Sequence, residues 1–400
     1  MSSSKPFGTD PDQQKSPDEG TGGPSWDGPG SGNSSRSQGS RAANPPLGPN
    51  APGSFGTAVP GASQSMDGHT GAATIPRSPR DGGQGPATVR IGLWGAPRSG
   101  KTTFLASLPI AAMQHARNER GNWVVSGVGN SAVDFLNGSV NQLTVERGFP
   151  GATVGVQGMT WSFQGEVPRQ LGGIRQVGFE LDIHDVSGES FRPEHPQHAA
   201  IVNQLADAEG LIYLFDPLLD GEPATQSVRF FHATLNALYS RVREQRGLLR
   251  GRLPHQVAVC VAKFDDPELF RPSVEAGWVT QDDVGARLPQ VPEHLSAGYF
   301  AWLCDTFRGS TTRLVRDALN TNFHPDRISY HAISAIGFRL NEAGIFDYRS
   351  YANVELVDGQ PRIATVPQPL NVLDPVIALE RRISGDRAGA GGGRRRLWRR

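Results

Sequence analysis

Lysine is nearly absent from this sequence. The 400-residue chain carries four lysines against 35 arginines, and two of the four, Lys5 and Lys15, belong to its N-terminal segment. The other two, Lys101 and Lys263, are expected where a slim stem ending in a compact charge is needed, because the broad guanidinium fork of arginine does not fit there. These two positions are the starting point for a functional interpretation.

Other scarcities exclude whole classes of protein. The formal net charge is zero, so the chain as a whole has no electrostatic bias toward nucleic acid or membranes. Its two cysteines cannot form a disulfide framework, and no Cys/His cluster has the spacing of a zinc site. No apolar stretch approaches membrane-spanning length, and the N-terminus lacks the pattern of a secretory signal. We therefore expect a cytoplasmic protein.

Composition divides the chain into three parts. Residues 1–86 are rich in Gly, Ser and Pro, which predicts a disordered tail because such a segment buries too little apolar surface to offset its ordering entropy. Residues 87–385 alternate between strand and helix patterns, which predicts an α/β domain on a doubly wound, mostly parallel sheet with insertions. Residues 386–400 form a Gly- and Arg-rich basic tail, which could dock on an anionic membrane or nucleic acid or simply remain solvated.

Hydrophobic periodicity places the elements of the α/β domain. Strands are predicted at 89–93, 154–163, 177–186, 211–215, 257–261 and 328–333, and helices at 102–116, 228–242, 293–320 and 370–383. The strands at 211–215 and 257–261 are continuously apolar, as expected for central strands covered on both faces. Insertions are predicted at 117–150, 266–290 and 338–368.

The strongest motif follows the first strand. The run Gly95-Ala96-Pro97-Arg98-Ser99-Gly100-Lys101-Thr102-Thr103 has the Gly-x4-Gly-Lys-Thr spacing of a phosphate-binding loop. In such a loop, backbone N–H groups and the helix N-terminus hold the phosphates, Lys101 contacts the β- and γ-phosphates, and the Thr102 hydroxyl ligates Mg²⁺. Arg98 is either a solvated loop residue or an arginine finger.

Three weaker motifs end later strands. In Asp185-Val186-Ser187-Gly188, the carboxylate is a candidate Mg²⁺ ligand and the Gly188 N–H a candidate contact to the γ-phosphate, although a simple turn is the alternative. In Ala262-Lys263-Phe264-Asp265, Asp265 can accept hydrogen bonds from guanine N1–H and the 2-amino group while the Lys263 stem lies over the base. Ser334-Ala335-Ile336 offers a backbone N–H to guanine O6. This interpretation requires Lys101 and Asp265 to reach opposite ends of one purine triphosphate.

The order of these motifs resembles the translation-factor-like (TRAFAC) class of P-loop GTPases, and the match covers most of residues 89–337. The resemblance implies a Mg²⁺-dependent switch that binds GTP and hydrolyses it to GDP. It also implies that Thr153 is the switch-I threonine that closes on Mg²⁺ and the γ-phosphate, with Thr144 and Thr160 as rivals. More narrowly, four segments look like the bacterial double-GTPase family, which implies a regulatory or conflict-system output through an unknown protein effector: Trp94–Pro97, Gly148–Thr153, Leu214–Pro217 and Asn371–Pro375.

Two departures from the class pattern bear on the expected activity. Ala262 stands where the class usually has Asn or Thr, which removes a side-chain tie between base and phosphate loop and weakens the expected preference for guanine. Glu189 stands where many small GTPases carry the Gln that orients water, so slow hydrolysis is expected because the γ-phosphate repels a carboxylate.

Two alternatives stay open: an ATPase of another P-loop lineage with Asp216 as its acidic metal residue, and a non-catalytic nucleotide-binding scaffold.

Overall fold

The computed structural model describes residues 89–117, 122–151, 156–168, 173–186, 198–219, 226–283, 285–307 and 310–396. The predicted tail at 1–86 and the last four residues of the predicted basic tail lie outside these ranges. The strands are β1 (Ile91–Gly95), β2 (Trp123–Val128), β3 (Val156–Pro168), β4 (Ile174–Val186), β5 (Gly210–Phe215), β6 (Gln256–Val261), β7 (Thr280–Gln281), β8 (Pro289–Gln290), β9 (Ile328–Ala332), β10 (Val354–Val357) and β11 (Gln360–Ile363). The helices are α1 (Lys101–Arg117), α2 (Asn130–Thr144), α3 (His198–Asp207), α4 (Gln226–Gln245), α5 (Pro267–Glu275), α6 (Glu293–Trp302), α7 (Ser310–Asn322) and α8 (Asp374–Arg396).

A parallel sheet of four strands, in the order β1-β5-β6-β9, forms the centre of the described fold. Every residue of β1, β5 and β6 is buried, and for β5 and β6 this agrees with the continuous apolar runs that predict strands covered on both faces. The predicted α/β class is therefore confirmed. Because all four strands run in the same direction, the loops that follow them emerge at one edge of the sheet.

Helices cover both faces of this sheet. Alternate side chains of β5 enter two different cores, with Tyr213 in one and Leu214 in the other. The Tyr213 core contains Phe231 and other apolar residues of α4, while the Leu214 core contains Phe104 of α1 and Val376 of α8. The chain thus leaves β1 toward one face and β5 toward the opposite face.

The strands predicted at 154–163 and 177–186 form a long antiparallel hairpin, β3–β4, rather than members of the parallel sheet. A short connection can join antiparallel strands but cannot make the crossover that parallel pairing needs. Phe163 and Phe179 face each other across the hairpin with stacked rings whose centroids are 4.9 Å apart. β2 pairs with β3, so the predicted insertion at 117–150 contributes a strand to this second sheet. The expectation of a mostly parallel fold thus holds for the central sheet alone.

Two predicted helices have different bounds in the structure. The helix predicted at 293–320 is divided into α6 and α7, with a π-helical turn at Leu303–Phe307 following α6. The helix predicted at 370–383 begins at Asp374, because Leu370 exchanges backbone hydrogen bonds with Ser334 and Asn371 takes a left-handed φ of 53°. It then continues beyond residue 385, where Asp386 makes an ion pair of 2.8 Å with Arg327.

No α-helix in the described ranges combines the length and apolar character that crossing a membrane demands.

Candidate functional site

The glycine loop joins β1 to α1 as a tight turn. A Cβ on Gly95 would lie 2.8 Å from both the Leu214 carbonyl oxygen and Ser99 Oγ, so only glycine fits at the end of β1. Arg98 and Gly100 take left-handed φ angles of 64° and 89°, which lets the chain reverse before the helix begins. The Phe104 N–H then donates to the Gly100 carbonyl at 2.8 Å and opens the helical pattern. The loop therefore ends at the N-terminus of α1.

Lys101 is the first residue of α1, and its ammonium bends back over the loop. Lys101 Nζ donates to the carbonyl oxygens of Gly95 and Ala96, each at 3.0 Å. Only 7% of the residue is exposed. The first turn of α1 contains no acidic residue, so no carboxylate there offsets the positive end of the helix dipole. The N-terminus of α1 is consequently suited to an anion.

Ser99 carries an unsatisfied hydroxyl in the same loop. The residue is 1% exposed, and its Oγ has no hydrogen-bond partner in the structure. Leaving a buried hydroxyl without a partner costs about 1–3 kcal/mol, so such a group marks a place where a ligand atom is expected. Thr102 and Thr103 follow in the first turn of α1, both partly exposed. The Ser99 hydroxyl, which lacks a partner and lies beside a helix N-terminus, is suited to bind an oxygen atom of a phosphate chain.

Asp265 and Ser334 meet although they follow different strands. Ser334 Oγ donates to Asp265 Oδ1 at 2.5 Å and accepts the Gly337 N–H at 2.7 Å. Asp265 is 7% exposed, and this burial raises the pKa of its carboxyl to about 6, while the Ser334 hydrogen bond acts in the opposite direction. The structure thus joins two of the motifs that the sequence analysis assigned to the base.

Lys263 is paired with Asp216, which directly follows β5. Lys263 Nζ lies 2.6 Å from Asp216 Oδ2, and the Leu218 N–H donates to Asp216 Oδ1 at 2.9 Å. The Asp216 side chain is 0% exposed, whereas that of Lys263 is 43% exposed. Burial raises the pKa of the Asp216 carboxyl, and the nearby ammonium opposes the shift. Because the carboxylate is held by an ammonium and an amide, the arrangement does not favour Asp216 as a metal ligand.

The backbone at Lys263 is held in an unusual conformation. Its φ of 58° lies in the left-handed region, where a residue with a Cβ is strained by roughly 1–2 kcal/mol. Backbone hydrogen bonds fix the turn on either side, from the Ala262 N–H to the Phe215 carbonyl at 2.8 Å and from the Phe264 N–H to the Ile333 carbonyl at 3.1 Å. Strain that the surrounding structure enforces is common at ligand sites.

Sequence reasoning missed the residue that fixes the loop after β9. Asn353 is fully buried, and its Nδ2 donates to the Ile336 carbonyl at 3.1 Å. Its Oδ1 accepts from the Thr365 N–H at 3.0 Å and from the Thr365 hydroxyl at 2.8 Å. Asn353 lies in the predicted insertion at 338–368, where no motif spacing distinguishes it. The partly exposed Ala335 lies between Ser334 and Ile336, so this clamp holds the last predicted base-contacting segment.

The remaining predicted residues are only partly described. Thr153, Gly188 and Glu189 lie outside the described residues. Asp185 lies in β4, where it is in register with Gln157 of β3. Of the two alternatives to Thr153, Thr144 donates its hydroxyl to the Val140 carbonyl at 2.7 Å, and Thr160 lies in β3 opposite Asp182.

No metal site is apparent in the part of the chain that the structure describes. Within it, no group of three or more His, Cys, Asp or Glu side chains could hold an ion. Thr102 is the one predicted Mg²⁺ ligand whose exposure is described, since Thr153 and the side chain of Asp185 are not.

Comparisons with known proteins give no family assignment. No family model matches the chain, and no curated protein matches it either. Among solved structures, Sup35 complexed with GDP is similar over 68% of this chain and 44% of its own, with 9% identity and a TM-score of 0.26. A mutation variant of SsGBP is similar over 62% and 50%, with 12% identity and a TM-score of 0.27. Sup35 complexed with GMPPNP is similar over 65% and 41%, with 10% identity and a TM-score of 0.26. This chain thus spans half or less of each of those chains, and function is inferred from the site alone.

Proposed function

We propose that this chain is a P-loop GTPase-type switch that binds a guanine nucleotide with Mg²⁺ and hydrolyses GTP slowly. One observation carries the proposal: a phosphate-type loop and an Asp265–Ser334 pair follow parallel strands of the same sheet, so both face the same edge. In open α/β sheets, ligands bind outside the carboxyl ends of the strands, where helices depart to opposite faces. α1 and α4 depart in this way after β1 and β5.

The separation of the two halves supports a single elongated ligand. β1 and β6 are two positions apart in the sheet order, which corresponds to about 10 Å at ordinary strand spacing. The glycine loop follows β1 and Asp265 follows β6. A ligand with phosphates at one end and a purine at the other is therefore of the appropriate size to reach both.

The phosphate end relies on groups that can change partners. Lys101 would exchange its two carbonyl contacts for phosphate oxygens, and Ser99 Oγ would gain the partner that it lacks. The Thr102 hydroxyl and the Asp185 carboxylate are the oxygen donors proposed for Mg²⁺, which prefers such ligands. When bound, Mg²⁺ would supply charge neutralisation on the phosphates.

The base end relies on one carboxylate oxygen and one aliphatic stem. Ser334 already occupies Asp265 Oδ1, so Oδ2 is the oxygen proposed to accept from the guanine N1–H and 2-amino group. The half-exposed stem of Lys263 offers apolar surface for a base. A backbone N–H of the Ser334–Ile336 segment, other than that of Ser334, which donates to the Leu370 carbonyl, is proposed to meet guanine O6.

Switching is proposed for the segments around Thr153 and Gly188. They would close on the γ-phosphate and relax after its loss, and Glu189 would keep intrinsic hydrolysis slow. An unidentified protein effector would respond to the closed state. A regulatory or conflict-system output remains part of the proposal, as does docking of the Arg-rich C-terminal tail on an anionic membrane or nucleic acid.

The proposal is tested by identifying the nucleotide that the protein carries. The purified protein is denatured, the released nucleotide is separated, and the affinities of the nucleotide-free protein for GDP and ADP are measured with Mg²⁺ present. We expect guanine nucleotide and a preference for GDP. Release of adenine nucleotide would instead support the ATPase alternative, and the absence of any nucleotide binding would support the scaffold.

A further inference from the structure

We propose that Asp216 is a positioning residue for base recognition, acting through Lys263. This inference rests on the proposed function, since it concerns how the site holds a guanine base. Asp216 would fix the Lys263 stem in the direction from which it contacts the base, and so replace the tie that Ala262 cannot make.

The fold brings these two residues together through neighbouring strands. β5 and β6 pair in parallel with Phe215 opposite Val261, and the Ala262 N–H extends the pairing by donating to the Phe215 carbonyl at 2.8 Å. Asp216 and Lys263 follow these positions, and their charged atoms lie 2.6 Å apart. The contact therefore depends on the register of two central strands and not on a mobile surface loop.

The pair is asymmetric in a way that suits positioning. The Asp216 side chain is completely buried while 43% of the Lys263 side chain is exposed. A buried carboxylate has lost its hydration, and separating it from its ammonium partner would leave an uncompensated buried charge. The buried carboxylate thus holds the ammonium, and the stem of Lys263 stays partly exposed, where a base could lie on it. The left-handed φ of 58° at Lys263 adds a backbone constraint to this side-chain constraint.

Ala262 explains why such a device is needed. Ala262 is 6% exposed and its methyl group carries no polar atom, so position 262 supplies no side-chain hydrogen bond. The Asp216–Lys263 pair supplies an anchor from the adjacent strand instead. A side chain held in its bound conformation before the ligand arrives loses less entropy on binding.

The test compares a ligand that touches both ends of the site with one that touches only the phosphate loop. GDP and inorganic triphosphate are titrated into nucleotide-free parent protein and Asp216→Asn, a variant of nearly equal shape that lacks the charge. We expect Asp216→Asn to weaken GDP binding about tenfold, equivalent to about 1.4 kcal/mol, and to leave triphosphate binding unchanged. A merely structural role would lower both affinities together.

A double-mutant cycle shows whether Asp216 acts through Lys263. Lys263→Met alone should weaken GDP binding, and adding Asp216→Asn to it should cause no further loss. Asp386→Asn is a control for loss of an ion pair outside the proposed site, since its half-exposed carboxylate pairs with Arg327, and it should leave GDP binding unchanged.

Two results would overturn the inference: unchanged GDP affinity in Asp216→Asn, or additive losses in the double variant. If Asp216→Asn does not fold, an unchanged GDP affinity in Lys263→Met has the same meaning, because methionine keeps an apolar stem but lacks the ammonium that Asp216 holds, and this ammonium would then not affect base binding. A parent protein that binds triphosphate but does not prefer GDP over ADP would instead refute the proposed function. Failure of the proposed function can therefore be distinguished from failure of this inference.

Discussion

Asp265→Asn gives the sharpest test of base recognition. Asparagine has nearly the shape of aspartate, and its amide oxygen can still accept the Ser334 hydroxyl that now donates to Asp265 Oδ1 at 2.5 Å. The amide nitrogen would then take the place of Oδ2. It presents N–H donors where guanine also presents donors, so the variant should fold normally and reject guanine.

The size of the effect follows from the lost hydrogen bonds. Guanine N1–H and the 2-amino group each donate to a charged carboxylate in the proposed complex, and hydrogen bonds to charged groups contribute about 1.5–3 kcal/mol each. Losing both at the lower value costs about 3 kcal/mol, or a little over a hundredfold in Kd for GDP. Xanthine carries a carbonyl in place of the 2-amino group, so the amide should bind xanthosine diphosphate more tightly than the parent protein does.

Calorimetric titration at pH 7.5 measures this effect, because at that pH a carboxyl with a pKa of about 6 is almost fully ionised. Asp266→Asn is a matched control: the neighbouring carboxylate accepts the Glu268 N–H at 2.9 Å at the start of α5, a role that asparagine also performs. It should leave GDP binding unchanged. If Asp265→Asn bound GDP as tightly as the parent, the assignment of Asp265 to the base would be wrong.

Three further predictions follow from the site. Lys101→Met should weaken GTP binding about thirtyfold, as measured by calorimetry. The contact with phosphate contributes about 4 kcal/mol, and binding breaks two carbonyl hydrogen bonds of about 1 kcal/mol each, which leaves about 2 kcal/mol. An unaltered Kd would contradict the loop assignment. GDP affinity should fall about tenfold from pH 7 to pH 5, since burial raises the pKa of Asp265 to about 6 and guanine donors need the ionised form. In Asp265→Asn, the affinity for GDP should change with pH no more than the affinity for inorganic triphosphate does. A parent protein whose GDP affinity does not change with pH would contradict this prediction. Asn353→Ala removes three hydrogen bonds worth about 3 kcal/mol and should lower the melting temperature by roughly 5 °C, whereas the exposed-turn variant Asn341→Ala should shift it far less. Equal melting temperatures for the two variants would argue against the clamp.

Local signals in the sequence were enough to locate the parallel core and the glycine loop. The apolar runs at 211–215 and 257–261 correspond to β5 and β6 within one residue, and the helical spacing from Val228 to Val242 lies inside α4. The Gly95–Thr102 run likewise extends from the last residue of β1 into the first turn of α1. Each of these signals depends on neighbouring residues, because periodicity and turn chemistry act over a few positions.

Pairing between distant segments could not be predicted in the same way. The patterns at 154–163 and 177–186 identified two strands correctly but did not show that they pair antiparallel as β3–β4. A strand pattern specifies which side chains alternate, not which strand lies alongside it. The start of α8 was also misjudged, because the bridge from Leu370 to Ser334 is a tertiary contact that competes with helix formation.

The sequence by itself therefore determined the chemical groups of the candidate site, and the tertiary structure decided how they are held. Lys101, Lys263 and Asp265 were identifiable because residue type and local spacing are written along the chain. The hydrogen bond between Asp265 and Ser334 joins residues 69 positions apart, and the Asp216–Lys263 pair exists because β5 and β6 are adjacent and in register. Strand order and register arise from the packing of the whole sheet, which no short stretch of sequence encodes.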